Sequence, residues 1–523
     1  MNLSAHDIPR HTGADSRRGL WVVIACAAVL LLLILLRMVG YGLSRDEMMY
    51  ASAARLLETG APYADFFYNH VPYSAYYFRL FDLAFAENYL LLSARLAVFV
   101  AWIVFAASVG WFAWVRTGSA LFTGFALAAV LCNDLLLSVP GMVASNNLLP
   151  LPLVFLGYTL FICGTQSAPK TLLLLLSGLC LSLATGTKIS AVVFVPPVAV
   201  AAFFLPSAAA MRDRLLRSVL PLALGGLVGG APFLWQLATD PATVMAHVVG
   251  FHRGPHVAYW VANATSEPGL ALSLGARLQL AFQIWFGGAF LILWLVTLGL
   301  GLAGVMAGRR VVTGHVLTAL AALLLAIGIS LTPHPAFPQY FVPPLVPLLL
   351  LCILWAGAVA DDLDRMAPFL LAGSLALLLL AAPRLASGAR TLMAPAETVS
   401  AKSARAGAAL AEAVTASGPV ATFLPVYALE GGLPVYPELA TGQFAYRIVP
   451  HTAPDLLSHY VAFGPGEVAA RFDAEPPAAL LLGFEPELEA PMVAWAKANG
   501  YEAEPFPLAD NRYGRAMLWL APP

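Results

Sequence analysis

Long apolar runs recur along most of this chain and then stop. They cover residues 20–39, 90–115, 119–138, 147–164, 171–186, 189–206, 215–237, 278–305, 311–331, 339–358 and 367–384. A helix of roughly 20 apolar residues crosses a hydrocarbon core. The pattern therefore predicts about eleven transmembrane helices, give or take one or two around 171–206. Pro196-Pro197 and Pro343-Pro344 fall inside two of the runs. Membrane helices tolerate proline when neighbours satisfy the freed carbonyls. The first run, Leu20 to Val39, follows a polar, basic start and is too long for a signal-peptide core. It reads as an uncleaved first span.

Past about residue 390 the texture changes to short apolar stretches between turns and acidic residues. Pro419–Pro425, Ala478–Gly483, Tyr501–Pro507 and Arg515–Leu520 read as strands. Ala401–Ser417, Pro454–His459 and Pro486–Ala498 read as helices, the last stopped by Asn499-Gly500. The expected organisation is a membrane domain over 1–390 and a small α/β domain over 391–523. Two long polar loops, about 41–89 and 238–277, interrupt the membrane part.

Composition agrees. Hydrophobic residues make up 60% of the chain and charged residues 11%, with a mean hydropathy of +0.79. Soluble domains carry roughly 25% charged residues. The net charge of −1 gives no basis for a nucleic-acid partner. Cys26, Cys132, Cys163, Cys180 and Cys352 each lie in an apolar run without metal-ligand spacing, and read as packing residues.

Charge distribution sets the expected orientation. With the N-terminus in the cytoplasm, the inside segments hold Arg10, Arg17, Arg18, Arg116, Lys170, Arg212, Arg214, Arg217, Arg309, Arg310 and Arg365. The longer outside loops hold only Arg45, Arg55, Arg79, Lys188, Arg253 and Arg277. Arg37 and Arg95, near outer span ends, narrow that margin without reversing it. An odd number of spans then puts the C-terminal domain outside.

Candidate chemistry concentrates in the first loop, YGLSRDEMMYASAARLLETGAPYADFFYNHVPYSAYYFRL. Asp46-Glu47 opens a helical stretch, where acids suit the helix dipole. A carboxylate fixed at the membrane surface is also placed to act as a general base. Asp46-Glu47, Tyr50-Ala51, Ala54-Arg55, Gly60, Pro62-Tyr63, Asp65-Phe66 and Pro72 together resemble the first external loop of GT-C glycosyltransferases. The nearer branch is the protein O-mannosyltransferase-like and aminoarabinose-transferase-like one. The resemblance is strongest over residues 41–80.

That resemblance implies an enzyme that moves a sugar from a polyprenyl-phosphate donor to a lipid, glycan or protein acceptor outside the cytoplasm, with inversion. It implies Asp46 as the catalytic carboxylate with Glu47 beside it. Lys188, in ATGTKISAVVFVPP, resembles a lipid-phosphate ligand, although a lysine between apolar runs also snorkels. Arg253 and Arg55 are further candidates for the phosphate, Arg55 also for local pairing with acids. Tyr63, Tyr68, His70, His252 and His256 are candidate substrate contacts, against a bland account as interfacial aromatics and loop polarity. His334 and Tyr340, in TPHPAFPQYFVPPLVP, resemble residues facing a lipid headgroup cavity. Relatives place an acid near the head of the fourth span, where this chain has Asn146-Asn147. Asp134 is the candidate replacement. No metal site is assigned: Gly254-Pro255 interrupts the spacing of His247, His252 and His256. No soluble cofactor is implied, and a divalent cation stays open. The expected location is the inner membrane. The competing classes are a lipid or sugar flippase and a GT-C scaffold without catalysis.

Overall fold

The computed structural model describes residues 14–207, 209–265, 270–508 and 515–522. The N-terminal segment with Arg10, counted above as cytoplasmic, and Pro523 lie outside the described residues. Six helices are long and apolar enough to cross a membrane: Arg17–Gly40, Leu90–Thr117, Met211–Thr239, Gly288–Met306, Pro338–Ala358 and Ala360–Met393. Five shorter apolar helices accompany them: Ala120–Leu131, Pro150–Gly164, Thr171–Thr187, Ile189–Phe204 and Gly314–Ser330. Each of the eleven apolar runs thus overlaps one of these eleven helices.

Two boundaries differ from expectation, each for a local reason. The run 119–138 ends as a helix at Leu131. Beyond it the Asn133 side chain accepts from the backbone N–H groups of Leu135 and Leu136, both at 3.1 Å, and closes a turn. The run 278–305 is two helices, Leu274–Trp285 and Gly288–Met306. Gly288 has φ +51, a conformation that glycine adopts without strain.

Glycine also sets the closest helix pair. A Cβ on Gly178 would lie 1.9 Å from the Leu222 carbonyl oxygen, and one on Gly225 would lie 1.9 Å from that of Leu175. The Thr171–Thr187 and Leu220–Thr239 helices therefore meet backbone to backbone. Without a hydrophobic force between helices in lipid, such close packing supplies the attraction.

The C-terminal region forms a four-stranded sheet of β1 (Val420–Thr422), β2 (Ala479–Leu482), β3 (Glu502–Pro505) and β4 (Met517–Leu520). The order is β1-β2-β4-β3, with β1 and β2 parallel and the other pairs antiparallel. All four expected strands are present, and the helix Pro486–Ala498 has the expected bounds. This domain is fastened to the first loop and the second long span. Glu430 accepts from the backbone N–H groups of Leu90 and Leu91, at 2.9 and 3.0 Å, and so caps the helix Leu90–Thr117. Arg45 pairs with Glu485, and Arg55 donates to the Leu429 carbonyl at 3.1 Å.

Candidate functional site

The helix Arg45–Leu56 begins with a reciprocal cap. The Ser44 hydroxyl accepts from the Asp46 N–H at 3.3 Å, and the Glu47 carboxylate accepts from the Ser44 N–H at 3.0 Å. Glu47 is wholly buried. It takes three more hydrogen bonds, from Arg95 Nε and Nη2 at 2.8 Å each and from the Ala144 N–H at 2.9 Å. Arg95 also donates to the carbonyls of Met38 and Tyr41, at 2.7 and 2.8 Å. Glu47 is thus a strut joining the first span, the first loop and the second span. Asp46, one residue earlier on the helix, is half-buried. Its charge acts on Tyr50, Lys188 and Tyr340.

Lys188 sits in extended backbone (φ −148, ψ 116) between the helix Thr171–Thr187 and the turn Ile189–Phe194. Its ammonium donates to Asn147 Oδ1 at 2.5 Å and lies 5.5 Å from the centre of the Tyr340 ring. Burial pulls the ammonium down to about 8, a fall that the Asp46 carboxylate partly offsets. A small pocket opens here, with Lys188, Asn147, Ser190 and Gln339 in its wall beside Phe194 and Val342. A cation at the edge of an apolar slot suits an anionic group carried on a hydrocarbon chain.

Three rings stack across the two outer loops. The Tyr50 and His70 rings lie 5.2 Å apart at 14°, and His70 and His252 lie 5.1 Å apart at 5°. His252 Nε2 is 2.8 Å from the Asn69 carbonyl, which can only accept, so that nitrogen carries the proton. Burial pushes His70 and His256 well below the usual imidazole range and His252 down to about 4. Among the described residues, no group of three or more His, Cys, Asp or Glu side chains is arranged to hold a metal ion.

Several expected site residues have other engagements. Arg55 pairs with Asp82, at 3.0 and 2.8 Å, and donates to the carbonyls of Glu87 and Leu429, which is the local pairing its sequence position also suggests. Asp134 accepts from the Ala289 N–H at 2.9 Å and caps the helix Gly288–Met306. His334 has Arg277 as its charged neighbour. Tyr63, at φ 76, donates to the His70 carbonyl at 2.6 Å, and Tyr68 shares a 2.8 Å hydrogen bond with Ser74; both hydroxyls brace the loop. Arg253 ends a helical turn exposed to solvent.

Asp46, Lys188 and Tyr340 are therefore brought together, with the His70–His252 stack beside Tyr50. One residue escaped the sequence reading. Arg447, from the C-terminal domain, acts electrostatically on both Tyr340 and His256. A lone arginine in GQFAYR carries no motif, and only tertiary packing reveals it.

These features define a multi-pass membrane protein with a small C-terminal sheet, its polar site where the two long loops meet the C-terminal domain. Among the solved structures it resembles are two of ArnT from Cupriavidus metallidurans. Against ArnT bound to undecaprenyl phosphate, the TM-score is 0.61 at 16% identity, covering 96% of this chain and 98% of the other. Against apo ArnT the TM-score is 0.58 at 16% identity, covering 96% and 99%. The shared architecture extends over almost the whole of both chains. No family model and no curated protein matches the sequence.

Proposed function

We propose that this chain is a glycosyltransferase that moves one sugar from a polyprenyl-phosphate donor to an extracytoplasmic lipid, glycan or protein acceptor, with inversion. The carrying observation is Lys188: an ammonium drawn into the edge of an apolar cavity, within the field of Asp46. The fold shared with an ArnT structure that holds undecaprenyl phosphate supports the same donor class.

In the reaction, the acceptor hydroxyl or amine attacks the anomeric carbon and gives its proton to Asp46. The bond from that carbon to the phosphate oxygen breaks, and its electron pair stays on the phosphate. Phosphate is already a good leaving group, so one base and nearby cations suffice; glycosidases, by contrast, use two carboxylates across the bond. Lys188 holds the phosphate, Arg253 approaches it from the second loop, and Glu47 keeps Asp46 in place. The protein works in the inner membrane with its N-terminus in the cytoplasm and its C-terminal domain outside.

The test is turnover of a polyprenyl-phosphate sugar by purified protein. Asp46→Asn preserves size and capping ability but removes the base, so transfer should fall by about 10² to 10⁴. Full transfer by Asp46→Asn would reject this mechanism and favour a flippase or a non-catalytic scaffold.

A further inference from the structure

A buried loop beside the pocket holds Lys188 with an uncharged partner. Between the helical turn Val139–Met142 and the helix Pro150–Gly164 the chain runs without regular structure, yet Ser145, Asn146 and Asn147 are all buried. Polar groups in such a segment need partners. The Ala144 N–H donates to Glu47 at 2.9 Å. Asn146 Nδ2 donates to the Thr187 carbonyl at 3.2 Å, and the Lys188 ammonium donates to Asn147 Oδ1 at 2.5 Å. Two adjacent residues of the loop thus grip two adjacent residues of the Lys188 turn, one by its backbone and one by its head. The direction of the Asn147 amide follows from its neighbours. An ammonium only donates, so it faces the amide oxygen. The amide nitrogen then turns to the buried Ser145 Oγ, 2.9 Å away.

This region shows two ways of holding a buried cation. Arg95 is answered by the Glu47 carboxylate, which cancels its charge. Lys188 is answered by an amide, which takes one of its three donors and cancels nothing. Among the described residues no carboxylate forms an ion pair with Lys188. Asp46 acts on it through its field, and Tyr340 offers it a ring face. His70 and His252, which feel its charge, are kept neutral by burial. A neutral holder suits a site whose ligand brings the negative charge. A carboxylate in contact would pair with the ammonium first and repel an arriving phosphate.

We propose that Asn147 is a positioning residue of the donor site: its amide fixes the Lys188 ammonium in the pocket wall while leaving the positive charge for the phosphoryl group. This deepens the donor reading given above and rests on it. Asn146 holds the Thr187 carbonyl and so fixes the backbone from which Lys188 reaches out.

The experiment measures binding of polyprenyl phosphate and of uncharged polyprenol to the purified protein between pH 7 and 9, without turnover. Wild-type protein should prefer the phosphate, less so as pH rises. Asn147→Asp matches the amide in shape and sets a carboxylate against the ammonium. It should lose roughly tenfold of its phosphate affinity at pH 7 and keep its polyprenol affinity. A contacting carboxylate favours the ammonium form, so the remaining phosphate affinity should no longer decline towards pH 9. Asn147→Leu removes the acceptor without adding charge. The ammonium then loses a hydrogen bond that favours its charged form, and the decline should begin at lower pH than in wild type. A packing role alone would not move the two profiles in opposite directions. If Asn147→Asp does not fold, the shift in Asn147→Leu decides. Unchanged phosphate affinity and pH profile in the variants, or equal losses for phosphate and polyprenol, would overturn the role of Asn147 and leave the donor reading standing. A wild type without preference for the phosphate would overturn the donor reading and this inference with it.

Discussion

Glu47 and Arg95 form a two-armed ion pair in which both side chains are fully buried, directly beneath the helix start that carries Asp46. Neither charge reaches water, so the pair stands only because every arm is matched. Glu47 receives four hydrogen bonds, and Arg95 reaches two carbonyls of the turn after the first span. Removing one member of such a pair strands the other.

Glu47→Gln should therefore destabilise the protein by about 3–5 kcal/mol, because Arg95 is left as an uncompensated buried charge. Thermal unfolding in detergent, wild type against Glu47→Gln and Asp46→Asn, checks this. The loss should be large for Glu47→Gln and small for Asp46→Asn. A Glu47→Gln protein as stable as wild type would remove the strut role. For transfer activity the sequence alone makes Glu47→Gln the milder change, because Glu47 is one residue along the helix and points roughly 100° away from Asp46.

The Glu47–Arg95 pair marks where the sequence stops being legible. Helix count, C-terminal strands and the Asp46 position all follow from local pattern: apolar length, alternation and an acidic helix start at Asp46-Glu47. The side-chain partners do not. Arg95 reads as one more cation near a span end, and Arg55 as open to phosphate or to local acids, until packing brings Glu47 and Asp82 to them. Asp134 reads as an intramembrane acid in need of a role, and the break at Gly287-Gly288 that it caps is hidden in an unbroken apolar run. Arg447 meets the second loop nearly 190 residues earlier in the chain, a contact that no periodicity encodes.

Topology gives a second prediction. From cation bias and an odd span count, residues 391–523 are predicted to lie outside the cytoplasm. A reporter active only in the cytoplasm, fused after Pro523, should be silent, and one fused within the Arg309-Arg310 loop should be active. A bright C-terminal fusion would overturn the orientation and the placement of Asp46 on the outer side.

The stacked imidazoles give a third. His252 titrates at about 4 in the folded protein because burial disfavours its charged form, with the Lys188 charge adding to the effect. The unfolded chain binds that proton near 6.5. Between those values the unfolded state holds more protons, so stability should fall as pH drops from about 6.5 towards 4. His70 and His256 adjoin the same stack, and burial shifts them in the same direction, while Lys188 stays charged over this range and adds a constant repulsion. His252→Gln should lose less melting temperature than wild type between pH 7 and 5. Equal losses would show that the stack does not govern acid sensitivity.

Lys188 gives the last. Its ammonium is drawn down from the usual lysine value to about 8, chiefly by burial. Below that pH it carries the charge that a phosphate needs; as pH rises through about 8 the folded protein loses it. Affinity for polyprenyl phosphate should therefore fall between pH 7 and 9, although the phosphate is fully ionised over the upper part of that range. Lys188→Arg keeps its charge throughout and should flatten the decline. Lys188→Met should bind weakly at every pH, by roughly the 1.5–3 kcal/mol of one charge-assisted contact. The measurement is a binding isotherm for polyprenyl phosphate at pH 7, 8 and 9 with each protein. The same decline in Lys188→Arg as in wild type would place the titrating group elsewhere, and would remove Lys188 from the phosphate site.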